Sequence, residues 1–382
     1  QVIEWAFSHR RRRVGDRRSI TIVLSHHGNT MMHPFPRVPG RRFLHSPGPS
    51  HVPEEVNHAI SRQPIDMGDP RLDVVIASCE RSLRTLLGTQ AADVFMYAGN
   101  GHGAWEAVIV NLLEPGQSVL VPGTGNFSAG WAEQCTAMGA RVIGTPWIEG
   151  APIDAAVVEQ LLRDDREHAI VAVFAVHTDT ASSVTSDIAA LRKAIDAAGH
   201  PALLVVDVVA SLGAVPFAMD ELGVNVVLGA SQKGLMCPPG LGFAAADARA
   251  MAVCEQVQTP RFYWDWRLRK SPFAYRKFCG TPPQTLLFGL EVALRLILEE
   301  GIDQVLQRHR LVTDLVHAAV SCWSHEGVVG FFVTDPAVRS TAVTTISVAD
   351  GVDVEALRAV GEERFQVSIA GGLGPLQGRV FR

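Results

Sequence analysis

The segment Ile170–Val176 is apolar at every position, as is 203–206, and strands of that kind are stable only when both faces of their sheet are covered. Extended runs at 118–121, 141–143 and 224–229 alternate with helix-patterned stretches at 131–138, 157–162 and 188–197. Strands alternating with helices in this way specify an α/β fold, a mostly parallel sheet sandwiched by helices. Upstream, helical spacing over 73–87 predicts a helix stopped by Gly88. A second helix is expected after Gly103, with Trp105, Val108, Ile109 and Leu112 on its apolar face, ending at Pro115-Gly116. Downstream, the turn-rich loop 278–283 precedes one long helical stretch over 284–317, and the segments 344–348, 354–365, 366–369 and 380–381 read as a smaller α+β domain.

The expected organisation is therefore a large α/β domain over 41–300, led by an N-terminal arm, and a small C-terminal α+β domain over 301–382. Residues 1–40 are expected to lie outside the fold as a disordered or non-native extension, basic at Arg10 to Arg13, Arg17 and Arg18, with the true start near Met31. The last strand stops at Arg382, so the small domain is expected to be incomplete.

Charge excludes several function classes. With 34 basic and 39 acidic residues the chain carries a net charge of −5, which does not suggest a nucleic-acid binder. The longest apolar runs are far shorter than the ~18 residues of a membrane span. Six cysteines without a CxxC pair read as reduced core thiols, with no metal site, and imply a cytoplasmic protein.

Only Lys193, Lys233, Lys270 and Lys277 could supply a primary amine, and the other thirty basic residues are arginines. Lys193 falls on a helix face, and Lys270 and Lys277 fall in an Arg-rich, aromatic surface stretch. Lys233 follows the strand at 224–229 among small residues, where open α/β sheets bind ligands. Upstream by 26 positions, Asp207 ends an apolar strand, and a carboxylate there needs a cationic or hydrogen-bonding partner. Taken singly, Lys233 also reads as an exposed loop residue and Asp207 as a helix N-cap. Together they fit pyridoxal phosphate, whose protonated ring nitrogen Asp207 would face. The turn Gly99-Asn100-Gly101-His102-Gly103-Ala104 opens a helix after a strand and offers backbone N–H groups to a phosphate.

These motifs, with Pro47-Gly48-Pro49-Ser50, Ser231-Gln232-Lys233, Pro238-Pro239-Gly240 and Gly371-Gly372-Leu373-Gly374-Pro375 leading to Arg382, resemble the class V, fold-type I pyridoxal-phosphate aminotransferases over 42–382. The similarity is to the alanine–glyoxylate and serine–glyoxylate (serine–pyruvate) group. It implies pyridoxal 5′-phosphate as cofactor and small amino acids and 2-oxo acids as substrates. Lys233 matches the lysine that bonds to the cofactor and moves the substrate α-proton, and Asp207 matches the ring-nitrogen partner. Phe127 stands where an aromatic ring stacks on the cofactor, though it also reads as a core residue. Thr180 matches a hydroxyl near the phenolic oxygen, Gly101, His102, Gly103 and Gln232 match cofactor contacts, and Thr281 matches a phosphate contact reaching the partner subunit. Arg382 and Gly48 match substrate contacts.

The resemblance also implies a homodimer, with Thr281 and the segment 47–50 serving the partner's site. Phe278 replaces a usual tyrosine, which implies one phosphate hydrogen bond fewer, and Ala181-Ser182-Ser183-Val184 replaces the usual Ser-Thr-Gly ending. Relatives with other activities are a pyridoxamine–pyruvate aminotransferase, a cysteine desulfurase or other lyase, and an inactive cofactor binder. Desulfurases generally carry a His before the lysine and a mobile-loop cysteine. Here Gln232 precedes Lys233, and Cys322 is expected to be a core thiol within a helix.

Overall fold

The computed structural model describes residues 42–382, so the reading of 1–40 lies outside the described residues. A seven-stranded sheet forms its centre, built from β2 (Asp93–Gly99), β3 (Ser118–Val121), β4 (Arg141–Gly144), β5 (Ile170–Val176), β8 (Leu203–Asp207), β9 (Val226–Ala230) and β10 (Gly240–Ala246). The strand order is β2-β10-β9-β8-β5-β3-β4, and every neighbouring pair from β9 to β4 is parallel. Successive residues of β8 explain why the strands read as unbroken apolar runs. Leu204 and Val206 enter one core while Leu203 and Val205 enter the other.

One layer comprises α1 (Glu54–Ile60), α2 (Pro70–Leu87), α5 (Ala155–Asp164), α6 (Ile188–Ala197) and α10 (Gln284–Glu300). The opposite core is covered by α3 (Gly101–Leu112), α4 (Asn126–Ala137), α7 (Ala248–Gln256) and α8 (Trp266–Arg269), whereas α9 (Ala274–Lys277) packs its Ala274 in the first core. Beyond α10 come α11 (Ile302–Ser324), α12 (Val354–Phe365) and a three-stranded sheet of β11 (Val329–Phe331), β12 (Ile346–Val348) and β14 (Val380–Phe381). Two short pairs complete the strands: β1 (Phe43–His45) with β13 (Val367–Ile369), and β6 (Thr178–Asp179) with β7 (Val184–Thr185).

Five details differ from the sequence reading. Residues 240–246, for which the sequence pattern predicts no strand, form β10, the strand antiparallel to both neighbours. Its sequence Gly-Leu-Gly-Phe-Ala-Ala-Ala carries little β propensity, and its position between two strands decides its state. The expected helix over 284–317 is two helices, because Gly301 takes a left-handed φ of 90° between α10 and α11. Helix α3 begins at Gly101, two residues into the turn that was expected to precede it, and α2 begins at Pro70 behind the N-cap Asp69. Cys322 is exposed rather than in the core. It lies two positions, about 200° of helical rotation, from the buried Val320.

Among the described residues, no helix is long and apolar enough to cross a membrane.

Gly229 of β9 lies under the ring of its cross-strand partner Phe243, and a Cβ there would sit 2.2 Å from Phe243 Cζ. Gly229→Ala is expected to lower the denaturation midpoint by an amount equivalent to about 1–3 kcal/mol, with partial recovery in the double variant carrying Phe243→Leu. An unchanged midpoint in the single variant contradicts this packing.

Candidate active site

The C-terminal ends of β2, β3, β5, β8 and β9 surround a cavity of about 230 Å³ lined by Gly101, Phe127, Thr178, Asp207 and Lys233 among others. Carboxyl ends of parallel strands are where an open α/β sheet leaves room for a ligand. Each polar group arrives there as the first residues beyond an apolar strand, because the strand interiors are packed on both faces.

Asp207 ends β8 with 4% of its surface exposed. Its Oδ1 accepts from Val209 N at 2.7 Å and its Oδ2 from Trp105 Nε1 at 2.6 Å. Burial pushes the carboxyl up to about 6, against the pull of those two donors and of Lys233, while Asp179 adds to the rise.

Lys233 follows β9, and its Nζ donates to Pro47 O at 2.6 Å. Burial, and then the Arg382 guanidinium, bring the amine down to about 8, while Asp207 and Asp179 oppose the fall. The segment 47–50 closes over this lysine. Ser50 Oγ donates to Lys233 O at 2.8 Å, and Ser50 N donates to Gln232 O at 3.0 Å. Gly48 has a φ of 136°, and a Cβ there would lie 2.4 Å from Lys233 Nζ, so only glycine fits. This segment, expected to serve the partner's site, thus packs on the lysine of its own chain.

The turn after β2 opens α3, where Asn100 Oδ1 accepts from Gly103 N at 3.2 Å. Gly103 is therefore part of the cap and does not line the cavity. The N–H groups of Gly101 and His102 belong to the first turn and take no acceptor within the helix. A Cβ on Gly101 would sit 3.1 Å from Val209 Cγ2, which lets the backbone come close. Gln232 lines the same cavity, and its buried Oε1 has no hydrogen-bond partner among the described residues. Burial holds His102 below the ordinary histidine value.

Phe127 and Thr180 also line the cavity. Arg382 lies beside it, with Nε donating to Gly371 O and Nη1 to Thr180 O, each at 2.8 Å. Thr281 is exposed and outside the cavity, and Phe278 is buried in the core of its own chain. The other lysines stand apart. Lys193 is exposed, Lys270 pairs with Asp93 at 2.7 Å and Lys277 with Glu80 at 2.5 Å. Among the described residues no His, Cys, Asp or Glu cluster could hold a metal ion.

Two residues were not singled out from the sequence. Trp105 read as one more apolar position of a helix, yet its N–H meets Asp207. Asp179 is fully buried just after β5, with Oδ2 accepting from Phe127 N and Oδ1 from Ala181 N, both at 2.9 Å. It ties the cavity's aromatic ring to the segment carrying Thr180. Its signal was an acid closely following an apolar strand, the same signal that marked Asp207.

The buried acid at Asp207 and the open first-turn N–H groups of α3 fit a ligand that carries a basic ring nitrogen at one end and a phosphate at the other, as pyridoxal phosphate does.

The family profile described as aminotransferase class-V matches residues 42–374. The L-aspartate–glyoxylate aminotransferase of Paracoccus denitrificans (strain Pd 1222) is 38% identical over 338 residues, 88% of this chain and 84% of that protein. The serine–glyoxylate aminotransferase of Methylorubrum extorquens (strain ATCC 14718 / DSM 1338 / JCM 2805 / NCIMB 9133 / AM1) is 35% identical over 91% of this chain and 86% of its own length. Among solved structures, an alanine–glyoxylate aminotransferase from Nostoc sp. superposes with a TM-score of 0.80 at 28% identity, covering 91% of this chain and 90% of its own.

The surroundings of Lys233 give a measurable amine. Its rate of carbamylation by cyanate in the cofactor-free chain, followed by mass spectrometry, is expected to be half-maximal near pH 8, where burial and Arg382 place it. Arg382→Gln removes a neighbouring positive charge and is expected to move that midpoint upward. A wild-type midpoint at the ordinary lysine value of 10.5 contradicts the site as described.

Proposed function

The chain belongs to the class V aminotransferases, which use pyridoxal phosphate, and from that premise we propose that it moves an amino group from a small amino acid, alanine or serine, to glyoxylate or pyruvate. The observation that carries the reading is the placement of one amine, Lys233, in the same cavity as the buried acid Asp207. The named activities of the two serine- and alanine-glyoxylate relatives support the substrate pair.

Pyridoxal phosphate supplies an aldehyde that takes up the amino group and a cationic ring that draws electrons from the substrate α-carbon. The chain's own residues do the rest. Gly101, His102 and Gln232 would hold the phosphate, with Phe127 and Thr180 lining the space for the ring. Asp207 would supply the negative charge that a protonated ring nitrogen needs. Arg382 presents a guanidinium to the α-carboxylate, for which two-pronged hydrogen bonding is well suited. Lys233 accepts the α-proton at Nζ and returns a proton to the cofactor side, and its lowered basicity leaves a useful fraction neutral near pH 7. The 47–50 segment packs Gly48 against the amine and so keeps that side of Lys233 closed.

The same proposal includes a homodimer, in which the exposed Thr281 reaches the partner's phosphate site, and a cytoplasmic location, in keeping with six free thiols. It keeps a small domain over 301–382, supported by a separate apolar cluster of Val320, Ile346, Val354 and Phe381.

Lys233→Ala is expected to remove the cofactor's lysine-dependent absorbance band and to lower turnover by more than about a hundredfold. A panel of alanine, serine and aspartate against glyoxylate and pyruvate tests the substrate reading. The expected order has alanine or serine ahead of aspartate, and aspartate first overturns the small-donor assignment. Persistent turnover in Lys233→Ala overturns the mechanism.

A further inference from the structure

We propose that Trp105 is a positioning residue of this site, its indole N–H holding the Asp207 carboxylate anionic and aimed into the cavity. The inference rests on the reading of Asp207 as the group opposite the cofactor's ring nitrogen.

Trp105 is 2% exposed, and its Nε1 donates to Asp207 Oδ2 at 2.6 Å where both residues line the cavity. The other oxygen already accepts from Val209 N, so each carboxylate oxygen faces an N–H. A proton on either oxygen would confront a donor, and an indole nitrogen donates but cannot accept. The pair of donors therefore favours the ionised acid, in a place where burial alone favours the neutral one. The charged groups around Asp207 are Lys233, which helps the anion, and Asp179, which opposes it. The neighbouring imidazoles of His102 and His177 are pushed toward their neutral forms by burial and supply no charge to replace the indole.

The indole is itself immobilised. It stacks on Trp131 with centroids 5.5 Å apart and planes 9° from parallel, and Trp131 stacks on Phe174 of β5 at 4.6 Å. The His102 ring approaches it at 4.4 Å. Trp105 follows Gly101 by four positions, so one turn of α3 separates the open N–H groups from the donor to Asp207. A single rigid helix thereby fixes the spacing between the phosphate end and the ring-nitrogen end of the site.

Trp105→Phe keeps an aromatic ring in the stack and deletes the N–H. The dissociation constant of pyridoxal phosphate is measured on the full chain, across pH 5 to 8, for wild type, Trp105→Phe, Asp207→Asn and the double variant. Trp105→Phe is expected to weaken binding about tenfold and to move the acid limb of binding to higher pH, whereas in the Asp207→Asn background it adds little. An equal loss in both backgrounds, or an unmoved acid limb, makes Trp105 a packing residue and overturns the proposal. Binding by Asp207→Asn at the wild-type level refutes the Asp207 reading itself, a different outcome. A readout independent of the Trp105 variant's folding is the Trp105 indole N–H resonance of the wild-type chain. It is expected downfield and titrating between pH 5 and 7, and a resonance indifferent to pH and to Asp207→Asn overturns the proposal.

Discussion

Four ionisable groups, Asp179, Asp207, Lys233 and Arg382, are held in one largely water-excluded region, and none of them could stay there alone. An unpaired charge in such a place either neutralises or forces the chain open. Here each is offset by fixed backbone dipoles and by the others. Asp207 and Asp179 each take a backbone N–H on one oxygen or both, and Arg382 gives its N–H groups to the carbonyls of Gly371 and Thr180. Burial and then Arg382 lower the basicity of Lys233 while the two acids raise it, so the amine's state depends on its burial and on all three neighbours.

The sheet decides where such a cluster can be. Every central strand alternates its side chains between two apolar cores, which leaves polar residues room only where strands end. Asp207, His177 and Ser231 all come directly at or after such ends, on adjacent strands. The β10 strand joins β2 to the parallel strands, pairing antiparallel with β2 on one side and β9 on the other. At Gly242 a Cβ would meet Asn100 O at 2.8 Å, so the strand's glycine also admits the turn that opens α3.

What could be read in advance follows the range of the physical signal. Helix α12, strand β5 and the stop at Gly88 were legible because propensity and periodicity act within a few residues. Strand β10 was not, since glycine and alanine carry no strand preference and only their neighbours impose one. Gly301 was hidden inside an otherwise continuous helical pattern. Cys322 was misplaced because the buried face of α11 is narrow, with only Val305, Thr313 and Val320 fully covered. At the site, Lys233 and Asp207 stood out as charges beside apolar strands, while Trp105 looked like core because nothing local reveals where an indole N–H points.

The sequence by itself determined the fold class, through doubly apolar strands alternating with helices, and it reduced the candidate amines to four, of which Lys233 alone follows a strand among small residues. It also supplied the ordered motifs by which the family is recognised. Only the tertiary structure decided that segment 47–50 closes over its own lysine and that the Trp105 indole donates to Asp207. Those contacts join residues 186 and 102 positions apart. Hydrogen bonds act over about 3 Å, so the order of residues along the chain leaves them undetermined until packing brings the partners together.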